Sequence, residues 1–157
     1  GTLSILVGGD KKDYEECLPI FQAMGTNITY FGAAGSGQHA KMANQIMIAG
    51  TLSGICEAFT YAKAEGLDLN MFTDAVSTGA AGSKQLDFQG RKILDNNYEP
   101  GFFMKHFVKD MKLAQEEAES AGLGLNVLGQ VLDNCEKLVE NGDGDLGTQA
   151  LIKYYMR

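Results

Sequence analysis

No stretch of these 157 residues is both long and uncharged enough to span a bilayer. The most membrane-like piece, between Lys41 and Glu57, is shorter than the ~20 apolar residues that a spanning helix needs, and it reads as a buried helix. A basic face is missing too. The formal charge is −7 with acidic and basic residues interspersed, which argues against a nucleic-acid binder and a charged tail. Cysteine is sparse: Cys17, Cys56 and Cys135 lie far apart in apolar helical patterns. Metal ligation needs closer clustering and a disulfide framework an even count, so all three read as reduced core residues of a cytoplasmic protein, and no metal site is expected. No internal repeat emerges, and no basic region followed by an apolar run opens the chain as a signal peptide would. The first residue is Gly, mid-pattern in a strand, so a piece of something longer is expected. The length allows one good core with a small appendage.

What is present is organised around Gly35-Ser36-Gly37-Gln38-His39-Ala40-Lys41-Met42-Ala43-Asn44. Two glycines suit a tight entry into a helix N-terminus, and Lys41 and Asn44, three apart, share a helical face. A lysine in the second turn of a largely apolar helix has the wrong charge for the helix dipole and is costly to desolvate. Such a position asks for a reason.

In chain order, Leu3 to Val7 alternates as a strand and stops at Gly8-Gly9. Asp10 caps a helix through about Met24, with Pro19 inside it; Gly25 is its C-cap, and Asn27 to Phe31 is a second strand. Neither Gly8-Gly9 nor Gly35-x-Gly37 completes a dinucleotide loop, because the third glycine and the second β-α-β unit are missing. A long helix is expected from Ser36 to Glu65, ended by Gly66, with Ala43, Met47, Gly50, Gly54, Ala58 and Tyr61 as the stripe that another helix or a partner subunit crosses. Asp68 or Asn70 caps a short helix through Val76. Ser77 to Ser83 is a flexible loop, and Ser83 caps a helix to about Asn96. Phe103, Phe107, Asp110 or Met111, and Ala114 fall on one face of a further helix running to Ala121. Another spans about Val127 to Glu140. Asn141 to Gly147 is a mobile acidic turn lacking the closing glutamate of a calcium loop, and Thr148 caps a last helix to Met156.

The glycine turn followed by Gln38, Lys41 and Asn44 resembles the catalytic signature of the β-hydroxyacid dehydrogenases, the family of 3-hydroxyisobutyrate, tartronate semialdehyde and 6-phosphogluconate dehydrogenases. The Phe102-Phe103 entry and Lys109-Asp110-Met111-Lys112-Leu113-Ala114 resemble its second signature, with Met111 where the family has Leu, and Gly1 to Asp10 has close counterparts near the end of its Rossmann-type domain. The resemblance implies a mainly α fold: a helical bundle preceded by a short β-α-β remnant of a Rossmann-type domain. Residues 1–33 would be the last β-α-β piece of the dinucleotide-binding domain and 34–157 the all-α catalytic and oligomerisation domain. It implies a catalytic Lys41, substrate contacts from Asn44, Gln45, Phe102 and Asp110, and Lys109 approaching an NAD or NADP held mainly by a missing N-terminal domain. Gln45 stands where several relatives carry a second Asn. The implied partners are a small hydroxy acid and further copies of the chain, as a dimer or tetramer.

The chemistry so implied passes hydride to a nicotinamide and a proton to a base. An apolar helix start and the positive end of its dipole both favour a neutral amine, which can take that proton. His39 and His106 are not expected to be the base. Two other readings compete: a ketopantoate- or imine-reductase-like relative, and a dimerising module whose site residues are relics. The Gln38-x-x-Lys41-x-x-Asn44 spacing together with Lys109-Asp110 favours the dehydrogenase.

Overall fold

The computed structural model describes residues 1–156. The chain divides into one compact unit over Gly1–Asn44 and a second from Gln45 onward. The fold is mainly α with a small two-stranded sheet, as the resemblance implies.

In the first unit, β1 (Leu3–Val7) pairs in parallel with β2 (Gly25–Tyr30), and α1 (Lys11–Met24) connects them. Asp10 begins α1 by accepting the Lys12 N–H at 2.8 Å, which satisfies one of the donors a helix start leaves open. Tyr30 fastens the sheet to the helix: its ring stacks on Tyr14 with centroids 4.9 Å apart, and its hydroxyl donates to Gly9 O at 2.9 Å. Gly25 is not the left-handed cap that its type suggests. It is extended, at φ −148°, and already belongs to β2. A Cβ there would lie 2.3 Å from Leu3 O, so glycine is present for the close approach of the two strands.

The second unit contains most of α2 (Ser36–Ala64), then α3 (Leu69–Ser77), a π-helical turn at Leu86–Gly90, α4 (Arg91–Leu94), α5 (Met104–Ser120), α6 (Asn126–Glu140), 3-10 turns at Asp143–Asp145 and Thr148–Leu151, and α7 (Ile152–Tyr155). Four of these helices are followed by a left-handed residue, Gly142 serving α6, and the other three close in the same way. After α2, Gly66 (φ +75°) lets Leu67 N–H reach Ala62 O at 2.9 Å. Asn96 does this after α4 and Gly122 after α5. Asp68 caps α3 by accepting the Met71 N–H at 2.8 Å, and Ser83 accepts the Leu86 N–H at 3.1 Å. Thr148 does not cap a helix. It is buried at the head of a 3-10 turn whose cap position is Gly147. The acidic turn before it is tied down: Asp143 pairs with Lys153, and Asp145 with Lys105 at 2.5 Å.

The core is drawn from Leu52, Cys56 and Phe59 of α2, Met104, Phe107 and Met111 of α5, Leu128, Val131 and Leu138 of α6, and Leu151 and Ile152 near the end. The buried stripe of α2 is Gln45, Ala49, Leu52, Cys56 and Phe59. The stripe of Ala43, Met47, Gly50, Gly54, Ala58 and Tyr61 is a different side of α2, with Met47 72% and Tyr61 68% exposed. The reason is that α2 carries apolar or small residues on every side, so periodicity alone does not choose a face. Of its two glycines, Gly50 meets Val127 of α6, 3.7 Å from where its Cβ would be, and Gly54 meets nothing. Phe103, expected on the buried face of α5, is partly exposed and precedes the helix.

Cys56 and Cys135 are both unbridged and buried. Burial raises both thiols, with Cys135 pushed up to about 12. Each folded-state value lies above the unfolded one, so the thiols add no cost below about pH 8.5 and weaken the fold as pH rises toward 12, by up to about 1.4 kcal/mol per pH unit for each thiol. Melting temperature is therefore expected to fall between about pH 8.5 and 10, and Cys135→Ala should flatten that fall. Thermal scans across the range check it; an equal slope in the variant would rule out Cys135 as a cause.

Candidate functional site

α2 starts where two backbones touch. Gly35 is left-handed (φ +90°) and turns the chain into the helix. Gly37 is buried and helical, and a Cβ there would stand 2.6 Å from Leu6 O; a Cβ at Gly8 would stand 2.7 Å from Gly37 N. Real Cβ atoms do not come so close, so this docking of α2 onto the end of β1 depends on both glycines. One turn further on, Lys41 lines an open groove with Gln38, Gly37, Ser4, Ile5 and Leu6. Lys41 and Asn44 follow each other along α2 at the expected spacing, and both are exposed. The apolar surroundings expected for the lysine are thus not supplied here. His39 is exposed as well.

The second unit gathers the other candidates. The backbone of Phe102 and Phe103 is clamped by the segment after the acidic turn: Phe103 pairs with Gly147, Met104 N–H donates to Leu146 O at 2.8 Å and Thr148 N–H to Phe102 O at 3.1 Å. The Phe102 ring meets Phe107 edge-on and His106 at a tilt, each with centroids 6.3 Å apart. Two turns along α5 lie Lys109 and Asp110. Asp110 is 8% exposed and Gln45 2%. Gln45 Nε2 donates to Asp110 Oδ2 at 2.9 Å, and the Lys109 ammonium sits 3.0 Å from Asp110 Oδ1. Both carboxylate oxygens are therefore engaged, as a buried charge requires. The Lys109 side chain itself is 65% exposed.

Gln45, Lys109 and Asp110 are thus brought together, with Phe102 at the entry to the same helix. The partnership of Gln45 with Asp110 was missed from sequence. Its only trace there is an amide at the head of a stripe that is otherwise apolar or small. Gly142-x-Gly144-x-x-Gly147 carries the glycine spacing of a dinucleotide loop, but it follows a helix rather than a strand, and its Asp143 and Asp145 are the wrong charge for a pyrophosphate. Among the described residues no cluster of His, Cys, Asp or Glu could hold a metal ion, and no helix is long and apolar enough to cross a membrane.

A family model described as NAD-binding of NADP-dependent 3-hydroxyisobutyrate dehydrogenase matches residues 35–155, and one described as the NAD binding domain of 6-phosphogluconate dehydrogenase matches residues 1–32. An uncharacterized oxidoreductase of Bacillus subtilis (strain 168) is 46% identical over 157 residues, which is all of this chain and 54% of the relative. A probable 3-hydroxyisobutyrate dehydrogenase-like 1, mitochondrial, of Arabidopsis thaliana is 45% identical over 97% of this chain and 45% of its own length. The solved 3-hydroxyisobutyrate dehydrogenase of Mycobacterium tuberculosis with L-serine superposes with a TM-score of 0.89 at 26% identity, over 97% of this chain and 54% of that one. The chain spans about half the length of the curated relatives it matches.

Proposed function

Since the chain belongs to the NADP-dependent 3-hydroxyisobutyrate dehydrogenase family, we propose that it is the C-terminal part of an NAD(P)-dependent 3-hydroxyacid dehydrogenase. That enzyme oxidises a small 3-hydroxy acid or reduces the corresponding semialdehyde. In this reading residues 1–33 close the dinucleotide-binding domain, and 34–157 form the catalytic and oligomerisation domain. The observation that carries it is the placement of Lys41 in the second turn of a helix whose start is fixed, backbone to backbone, on β1.

A bound nicotinamide would supply the hydride chemistry, with Lys109 as this chain's contact to it. Lys41 takes the hydroxyl proton as the C–O bond becomes a carbonyl; in reduction it returns a proton to the same oxygen. Asn44, with donor and acceptor on one amide, holds the substrate's hydroxyl or carboxylate. Phe102 supplies an apolar wall, and Gln45 and Asp110 the buried polar pair of the substrate side. The donor set fits a nicotinamide cofactor on one ground: the Lys109 ammonium is anchored on Asp110 yet remains largely exposed, leaving donors for ribose or phosphate oxygens.

Assays of the enzyme containing this chain, with a panel of small 3-hydroxy acids and both nicotinamides, test the reading. Turnover of at least one acid is expected; none with any pair sinks it. The 157 residues alone, titrated calorimetrically with NAD and NADP, should bind more weakly than micromolar, because the Gly8-Gly9 turn between β1 and α1 lacks the full glycine spacing of a pyrophosphate loop. We also place the protein in the cytoplasm, given its three unbridged cysteines, and expect it to self-associate through the outward side of α2, where Met47 and Tyr61 are exposed. Light scattering that returned the monomer mass at tens of micromolar would refute self-association.

A further inference from the structure

We propose that Gln45 is a positioning residue that sets Lys109 through Asp110. The inference rests on the reading of Lys109 as the residue that meets the cofactor. Lysine has a long, flexible stem and, standing largely in water, has no preferred direction of its own. Adjacent helical residues point to different sides, so Lys109 must fold back around α5 to reach its neighbour, as it does at 3.0 Å from Asp110 Oδ1. What fixes that anchor is the other oxygen. Asp110 Oδ2 accepts from Gln45 Nε2 at 2.9 Å across the α2–α5 packing, in a buried position. The carboxylate therefore cannot rotate without losing a buried hydrogen bond to a charged group, among the stronger neutral-to-charge contacts.

The length of Gln45 matters. An asparagine is one methylene shorter and leaves Oδ2 unmet at this distance; a leucine fills the space and offers no donor. In both cases Asp110 is free to turn, and Lys109 loses its fixed direction while keeping its charge. Gln45 then acts on cofactor binding without touching the cofactor.

The test is a double-mutant cycle in the cofactor-competent enzyme, read as the dissociation constant for NADP and NAD by nicotinamide fluorescence, with steady-state kinetics and melting curves alongside. Gln45→Leu should raise that constant roughly 3- to 30-fold. Lys109→Met should raise it as well. In the Lys109→Met background, Gln45→Leu should change it by less than about twofold, because the route from Gln45 to the cofactor is already cut. Gln45→Asn serves in the same cycle should the leucine variant fail to fold. An equal effect of the Gln45 change in both backgrounds would overturn the proposal and leave the cofactor role of Lys109 standing. If Lys109→Met left the dissociation constant unchanged, that role would fall, and the positioning role with it.

Discussion

Lys41→Met is expected to lower kcat of the enzyme containing this chain by about 10²–10⁴-fold, the usual cost of losing a general acid–base group, with no change in melting temperature. Methionine keeps most of the stem and its apolar character while removing the amine. Lys41 is exposed on α2, so the substitution opens no cavity in the core. The start of the helix is held by glycine-to-backbone packing at Gly8 and Gly37, which the substitution does not touch. The loss should therefore fall on the chemical step, with cofactor affinity little altered. Added primary amines of small size should restore part of the rate, which a misfolded variant would not allow. Retention of more than about a tenth of wild-type kcat, short of the low end of that range, would remove Lys41 from the proton-transfer role and turn attention to His39.

The second large effect is on stability. Phe59→Ala should cost about 3–5 kcal/mol, as truncation of a fully buried aromatic does. Phe59 is 0% exposed and meets Phe72 edge-on, with centroids 6.3 Å apart. Its ring tip also lies 3.4 Å from the position a Cβ would take on Gly90, so the π-helical turn closes against it. Truncation to a methyl group leaves a void beside that turn. Denaturant unfolding followed by circular dichroism should show a lower midpoint with an unchanged slope. A loss below about 1 kcal/mol would mean the site refills and the packing described at Gly90 is not rigid. Phe59→Leu, which leaves a smaller void, should cost markedly less.

Features of the fold that depend on near neighbours were legible in the sequence. Gly66 ends α2, Asp68 caps α3 and Ser83 caps the turn after it, because a cap is settled within a few residues. Lys41 and Asn44 were placed on one helix for the same reason. Features that depend on distant chain were not. The buried side of α2 is chosen by distant chain, Asp110 for Gln45 and Phe72 and Gly90 for Phe59, and no reading of α2 alone finds it. Gly25 looks like a helix stop until Leu3 is brought against it. Thr148 has the right chemistry for a cap, but its backbone N–H is drawn to Phe102 O. The bond from Gln45 to Asp110 joins positions 65 residues apart, and each looks ordinary in its own segment.

The contact of Gly8 with Gly37 bears on how such an enzyme can be retailored. A joint made of two bare backbones offers no side chain through which drift or design can adjust it. Any larger residue at either position must push the strand and the helix apart. The lysine's address is therefore inherited as a fixed point, and variation in substrate scope is channelled to the side chains around it.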